Sequence, residues 1–185
     1  MKIFIAVAVL VLAGCGTIKS ESRVSTPLQA RQYNSVAASF MNGATSVSVA
    51  EMSDERVLQI RMDRYGGRES VFRFPAMTSA AAVANIDKYF EWEQLASARG
   101  DALTKEIGRS RSWSSMGAGS GAQIKMSMHS GNERNHYLAL VFCAAGTCVE
   151  DAPMFLDRAG AVELRNLLVQ MDAGTLKSAD SQVYK

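Results

Sequence analysis

The sequence predicts an α+β fold: an antiparallel sheet covered on one face by two helices. Three observations predict it. Short runs of alternating polarity recur along the chain, two longer stretches carry apolar residues at helical spacing, and Gly- or Pro-containing turns separate them. The order of strands followed by one helix occurs twice. A strand-strand-helix duplication and a simple sheet with two covering helices both read this way.

Each element has its own warrant. Thr45–Met52 alternates loosely. Between Arg56 and Tyr65, Leu58, Ile60 and Met62 fall on one parity and Val57, Gln59 and Arg61 on the other. The first set predicts the buried face of a strand. Gly66-Gly67 is a hairpin turn signal. Phe72 and Phe74 then share a face, and Pro75 should end that strand. Thr78 or Ser79 can cap a helix to Arg99, with Ala82, Val83, Ile86, Tyr89 and Phe90 at helical spacing and Gly100 as its stop.

A second strand group follows in "ALTKEIGRS", "QIKMSMH", "HYLALVFC" and "TCVEDAPMFL". "YLALVFC" is apolar on both parities, which predicts a central strand. Asp157 can cap a second helix whose Leu164, Leu167, Leu168 and Met171 form one stripe, with Gly174 as its stop. Residues 33–174 are therefore expected as a single α+β domain. Residues 15–32, polar and containing Pro27, read as a flexible tether, and residues 175–185 as a loose tail.

The start of the chain carries an address. Met1-Lys2 precedes Ile3–Ala13, a run without a polar residue. A spanning helix needs about 20 apolar residues, so this run has instead the length and flanks of a secretory leader. It ends in Leu12-Ala13-Gly14-Cys15, which resembles the lipobox of bacterial lipoproteins. The resemblance covers only this segment. It implies that residues 1–14 are a signal peptide, that the Cys15 thiol receives a diacylglyceryl group, and that the new amino terminus is acylated, palmitate being a typical chain. Two or three acyl chains on one cysteine would hold the protein firmly to a bilayer. Gly16, where an Asp would retain such a protein at the inner membrane, implies by the same resemblance an outer-membrane anchor facing the periplasm.

Composition narrows the partners. The chain has 20 Lys+Arg and 18 Asp+Glu, and loss of Lys2 with the leader brings the two nearly level. No charge excess is left to attract nucleic acid. After Cys15, Cys143 and Cys148 remain, separated by a Gly-containing stretch. In an exported protein this pair predicts a disulfide across a tight hairpin.

Candidate chemistry is sparse. His129 and His136 flank a polar loop containing Glu133, and a hairpin that set them opposite could hold a metal. Two histidines without an ordered third ligand read better as strand-surface residues, so neither a metal nor a cofactor is expected. Ser110–Gln123 is rich in Ser and Gly, yet lacks the Lys-Ser/Thr ending of a phosphate loop and the Gly-x-Ser-x-Gly of a hydrolase elbow. It reads as a surface loop, with Trp113, Arg109 and Arg111 as candidate partner contacts. Asp54, Glu55, Asp63, Asp87, Glu91, Glu93, Glu150 and Asp151 are scattered, with no acid–base pairing in the sequence. The expectation is an anchored, non-catalytic module binding an envelope protein or wall component. An enzyme acting on cell-wall or lipid material and a small-ligand carrier are the alternatives.

Overall fold

The computed structural model describes residues 17–115 and 121–178. The leader and Cys15 therefore lie outside the described residues. Strands β1 (Ile18–Arg23), β2 (Arg31–Asn34), β3 (Ser39–Asn42), β4 (Thr45–Met52), β5 (Arg56–Arg64) and β6 (Arg68–Pro75) precede helix α1 (Ser79–Arg99). Strands β7 (Thr104–Arg111), β8 (Gln123–Ser130), β9 (His136–Ala144), β10 (Thr147–Cys148) and β11 (Met154–Leu156) lead to helix α2 (Arg158–Asp172). No helix among the described residues is long and apolar enough to cross a membrane.

The expected alternation is realised. Leu58, Ile60 and Met62 of β5 and Phe72 and Phe74 of β6 are buried in one core. Gly66 and Gly67 both take positive φ in the β5–β6 turn, where a Cβ would be strained. β6 ends at Pro75. Helix α1 stops at Gly100 in the left-handed conformation, and α2 begins with the Asp157 carboxylate accepting from Gly160 N at 2.9 Å. The stripe Leu164, Leu167, Leu168 and Met171 faces the core.

The fold is a mixed α/β arrangement of two antiparallel sheets and two helices, which corrects the expectation of one sheet. The first sheet runs β1-β4-β5-β6. The second runs β3-β2-β11-β9-β8-β7, with β10 added to β9. So many twisted strands do not stay in one open layer; they split into two sheets that share a core. Val47, Ile60 and Phe74 from one sheet and Ile124, Leu138 and Leu156 from the other belong to the same apolar cluster as both helices. Strand β9 is internal to the second sheet, as its double-sided apolar pattern predicts.

The stretch expected as a tether is also corrected. β1 pairs with β4, and Val24, Leu28 and Ala30 are buried in the main core. Thr26 Oγ1 donates to Glu163 Oε1 at 2.7 Å, so even Pro27 lies in a docked segment. A low average hydropathy hid a few apolar residues placed where the backbone is paired. At the other end Leu176 packs against the core, and its N–H donates to Gln170 O. Residues 179–185 of the expected tail lie outside the described residues.

Cys143 and Cys148 are joined by a disulfide between directly paired residues of β9 and β10. The turn between them places Ala145 and Gly146 at positive φ.

One glycine fixes how the two sheets meet. Gly43 follows β3 of the second sheet and leads into β4 of the first. A Cβ there would lie 2.5 Å from Met62 Cγ and 2.6 Å from Asp63 O. Gly43 N also donates to Ala30 O, and Asp63 N to Ala44 O. Gly43→Ala is expected to cost roughly 1–3 kcal/mol by overpacking, read as a lower urea midpoint. An unchanged midpoint would show that this joint can relax.

Candidate functional site

Trp113 is buried rather than presented. Its ring sits with Ala50, Met52 and Val57 on the outer face of the first sheet and is 5% exposed. Its Nε1–H donates to Asp54 Oδ1 at 3.1 Å, and the Arg73 guanidinium lies 5.4 Å from the ring centroid. Ser112 Oγ and Trp113 N both donate to Arg73 O, joining the end of β7 to the edge strand β6. Arg111 is held by Glu55, whose side chain is nearly buried, at 2.8 Å. Burial pushes the Glu55 carboxyl up, and the Arg111 charge opposes that shift. Arg109 pairs with Glu106 at 2.9 Å, and that hydrogen bond holds the Glu106 carboxyl down. The candidate contact set is therefore corrected for Trp113, which is a staple between sheets. A cavity of about 300 Å³ beside it is lined by Asp54, Arg109, Ser110, Arg111 and Ser114.

A polar network covers the rest of that outer face. Glu21 Oε1 accepts from Ser48 Oγ at 2.6 Å and from Gln59 Nε2 at 2.9 Å. Gln59 Oε1 accepts from Arg73 Nε at 2.6 Å. Gln59 is fully buried, although its parity predicts exposure. Burial lowers the Arg73 pKa from its ordinary value, the neighbouring Arg61 charge adding to the effect.

The histidines do not meet. His129 pairs with Tyr137 and His136 with Ser130, so the two imidazoles lie on opposite faces of the β8–β9 hairpin. His136 is buried and shares a hydrogen bond with Ser130 Oγ at 2.8 Å. His129 shares one with Thr104 Oγ1 at 2.9 Å and rests against Phe40 and Phe155. Among the described residues no three His, Cys, Asp or Glu side chains converge as metal ligands. The scattered carboxylates face basic partners instead: Asp87 meets Arg165 at 2.6 Å, Glu91 meets Lys88 at 2.7 Å, and Glu93 and Glu150 meet Arg158 and Lys125.

The feature that sequence reading missed is the β2–β3 hairpin. β2 joins β11 through one residue pair, Arg31 with Phe155, so the hairpin is free to curl over the sheet's outer face. The Phe40 ring thereby reaches Tyr137 at 4.2 Å and Phe155 at 4.9 Å. Gly131 leaves room for that ring: a Cβ there would lie 2.8 Å from it. Several other apolar residues of the hairpin are exposed. Tyr33 is 51%, Val36 96% and Met41 38% exposed, and Tyr65 of the neighbouring turn is 53% exposed. Tyr65 OH approaches Met41 Sδ at 3.1 Å on one side of the hairpin, and Tyr33 packs on Phe40 on the other. Asn34 Oδ1 accepts from Val36 N and Ala37 N and fixes the tip, while Ala38 holds φ at 47°. Only the spacing of Tyr33, Val36 and Met41 could have signalled this, and alone it resembles an ordinary loop.

Comparison with protein-family models, with curated proteins and with solved structures finds no match.

Two outcomes test this geometry. Trp113→Ala should lower stability by about 3 kcal/mol through the lost packing, and Trp113→Phe by about 1 kcal/mol through the lost hydrogen bond; urea midpoints read both. A mere surface contact would move neither. Burial holds the His129 pKa below its ordinary value, so the unfolded chain binds the proton more readily. Its contribution to stability is full above about pH 6.5 and falls as the pH drops below that. His129→Gln should flatten the melting temperature between about pH 6.5 and 5.5 relative to the unaltered chain; parallel slopes would remove the assignment.

Proposed function

We propose that the chain is a membrane-anchored envelope lipoprotein whose folded body is a non-catalytic binding module for another envelope component. The exposed apolar side chains of Tyr33, Val36 and Met41 on one hairpin, with Tyr65 of the neighbouring turn, are the observation that carries the binding reading. Exposed apolar surface concentrated in one segment has a cost in solubility that a partner removes. Two further observations favour binding over the alternatives. Five of the carboxylates considered as acid–base candidates are held in ion pairs with basic residues. The space between sheets and helices is filled by Tyr89, Phe72, Phe74 and their neighbours, where a carrier would need room.

The anchor would set the orientation. At most about 11 Å of extended chain separates Cys15 from Ile18. Ile18 pairs with Met52 beside the β4–β5 turn, so that end of the first sheet would lie next to the bilayer. β5 runs away from it from Arg56 to Arg64, about 26 Å at about 3.3 Å per residue. The patch at Tyr65 and Met41 would then face away from the membrane.

Cys15→Ser should abolish incorporation of labelled palmitate and release the chain from the membrane fraction. Continued acylation in that variant would overturn the anchor.

A further inference from the structure

We propose that β3 accepts an extended, uncharged segment of another envelope protein as an added strand; this rests on the binding reading above and gives it a mode. Four strands end the two sheets: β1, β6, β3 and β7. Three carry the residues that block edge pairing. β1 has Lys19, Glu21 and Arg23; β6 has Arg68, Glu69, Arg73 and Pro75; β7 has Lys105, Glu106, Arg109 and Arg111. Charges and proline on an edge prevent another chain from adding to it. β3, with the sequence Ser39-Phe40-Met41-Asn42, has neither, and three of its four residues are exposed. β10 is only two residues long and is closed by the disulfide.

The chemistry of the occupant follows from the surface. Backbone groups on a free strand edge are satisfied by an extended chain, so the edge selects strand geometry. No charged residue occurs between Tyr33 and Ala50, in a chain that is 21% charged. A charged segment laid here would be desolvated against Val36 and Met41 with no charge on the hairpin itself to pair with it, which disfavours it. The edge therefore selects a neutral strand with apolar side chains for this patch. A second copy fits less well. A stable dimer buries roughly 1,200 Å² or more, and two four-residue strands laid side by side fall well short of that. A slender segment also reaches both sides of β3, touching Met41 and Tyr65 on one and the Phe40–Tyr33 pair on the other.

The test uses the full-length protein in its native membrane. A photo-crosslinking side chain replaces Val36 or Asn42, with Val162 on α2, also exposed, as the control. Peptide-level mass spectrometry then maps each adduct. The expected adducts from positions 36 and 42 fall on one uncharged stretch, at least about four residues long, of one other envelope protein. Their yield should change less than about twofold between about 0.05 and 0.5 M NaCl, because no ion pair is involved. It should fall about tenfold or more in Met41→Lys, as a charge placed on a free edge predicts. Val36→Asp, at a turn position that packs on nothing, should do the same without affecting folding. Adducts to a second copy, to lipid or to a charged stretch, equal yield from Val162, or no adduct at all would each overturn the proposal. The mass of the same sample reports acylation. An unacylated chain that still crosslinks removes the anchor and leaves the docking mode. An acylated chain without the adduct removes the docking mode alone.

Discussion

The passage of Gly43 over Met62 and Asp63 is the contact on which the arrangement of the two sheets depends. The chain leaves the second sheet at β3 and enters the first at β4 within a few residues. It can do so only because its backbone lies where a side chain would collide with the end of β5. That close approach turns the apolar faces of β4–β6 and β8–β9 toward each other, and both helices then complete one core. The end of β7 makes a second join. There Ser112 and Trp113 bond to the Arg73 carbonyl, and the Trp113 ring folds over Ala50, Met52 and Val57. With both joins in place the outer face of the first sheet is partly covered as well, which an isolated four-stranded sheet would not achieve.

That cover explains a polar interior. Gln59 is fully buried on the face opposite Leu58 and Ile60. An unpartnered amide there would cost about 1–3 kcal/mol. Glu21 accepts from its nitrogen and Arg73 donates to its oxygen, so the group is satisfied on both sides. The same Arg73 then lies over the Trp113 ring. β1 supplies Glu21, so a segment that reads as a tether is needed to satisfy a core strand. Removing either charge would leave the other partly buried, and such networks are destabilised more by a half-deletion than by an apolar exchange.

How much was legible follows from which residues act locally. The β5–β6 hairpin, the Gly100 stop of α1, the Asp157 cap and buried stripe of α2 and the Cys143–Cys148 pairing depend on neighbours a few residues apart, and the sequence carries those signals openly, whereas α1 starts at Ser79 without the side-chain cap expected of Thr78 or Ser79. The division into two sheets depends on Gly43 meeting Met62 and on Trp113 meeting Val57, contacts that no local pattern reports. Trp113 illustrates the limit. Flanked by serines and arginines, it resembles a presented anchor, and only tertiary packing turns it inward. Leu28 and Ala30 were obscured in the opposite sense: isolated in a polar stretch, they are core residues. For the site, the histidine pair was visible and its separation was not, because one residue of register decides which face each imidazole takes.

The β2–β3 hairpin is where local choices and stability disagree. Phe40 has an evident structural role, plugging onto Tyr137 and Phe155. Its neighbours do not share that role. Val36 is almost wholly exposed at a turn tip, a position where a polar residue would serve stability equally well. Ala38 holds a left-handed φ that glycine would adopt with less strain. β3 also leaves its edge uncharged while the other sheet-ending strands carry charges, as edges usually do. Each is a small departure from what folding alone favours, and they coincide within one short segment. Sequences are otherwise locally consistent with their folds, and departures from that consistency concentrate where something other than the fold is being selected. The coincidence, rather than any one exposed side chain, is what singles this hairpin out as the proposed binding surface.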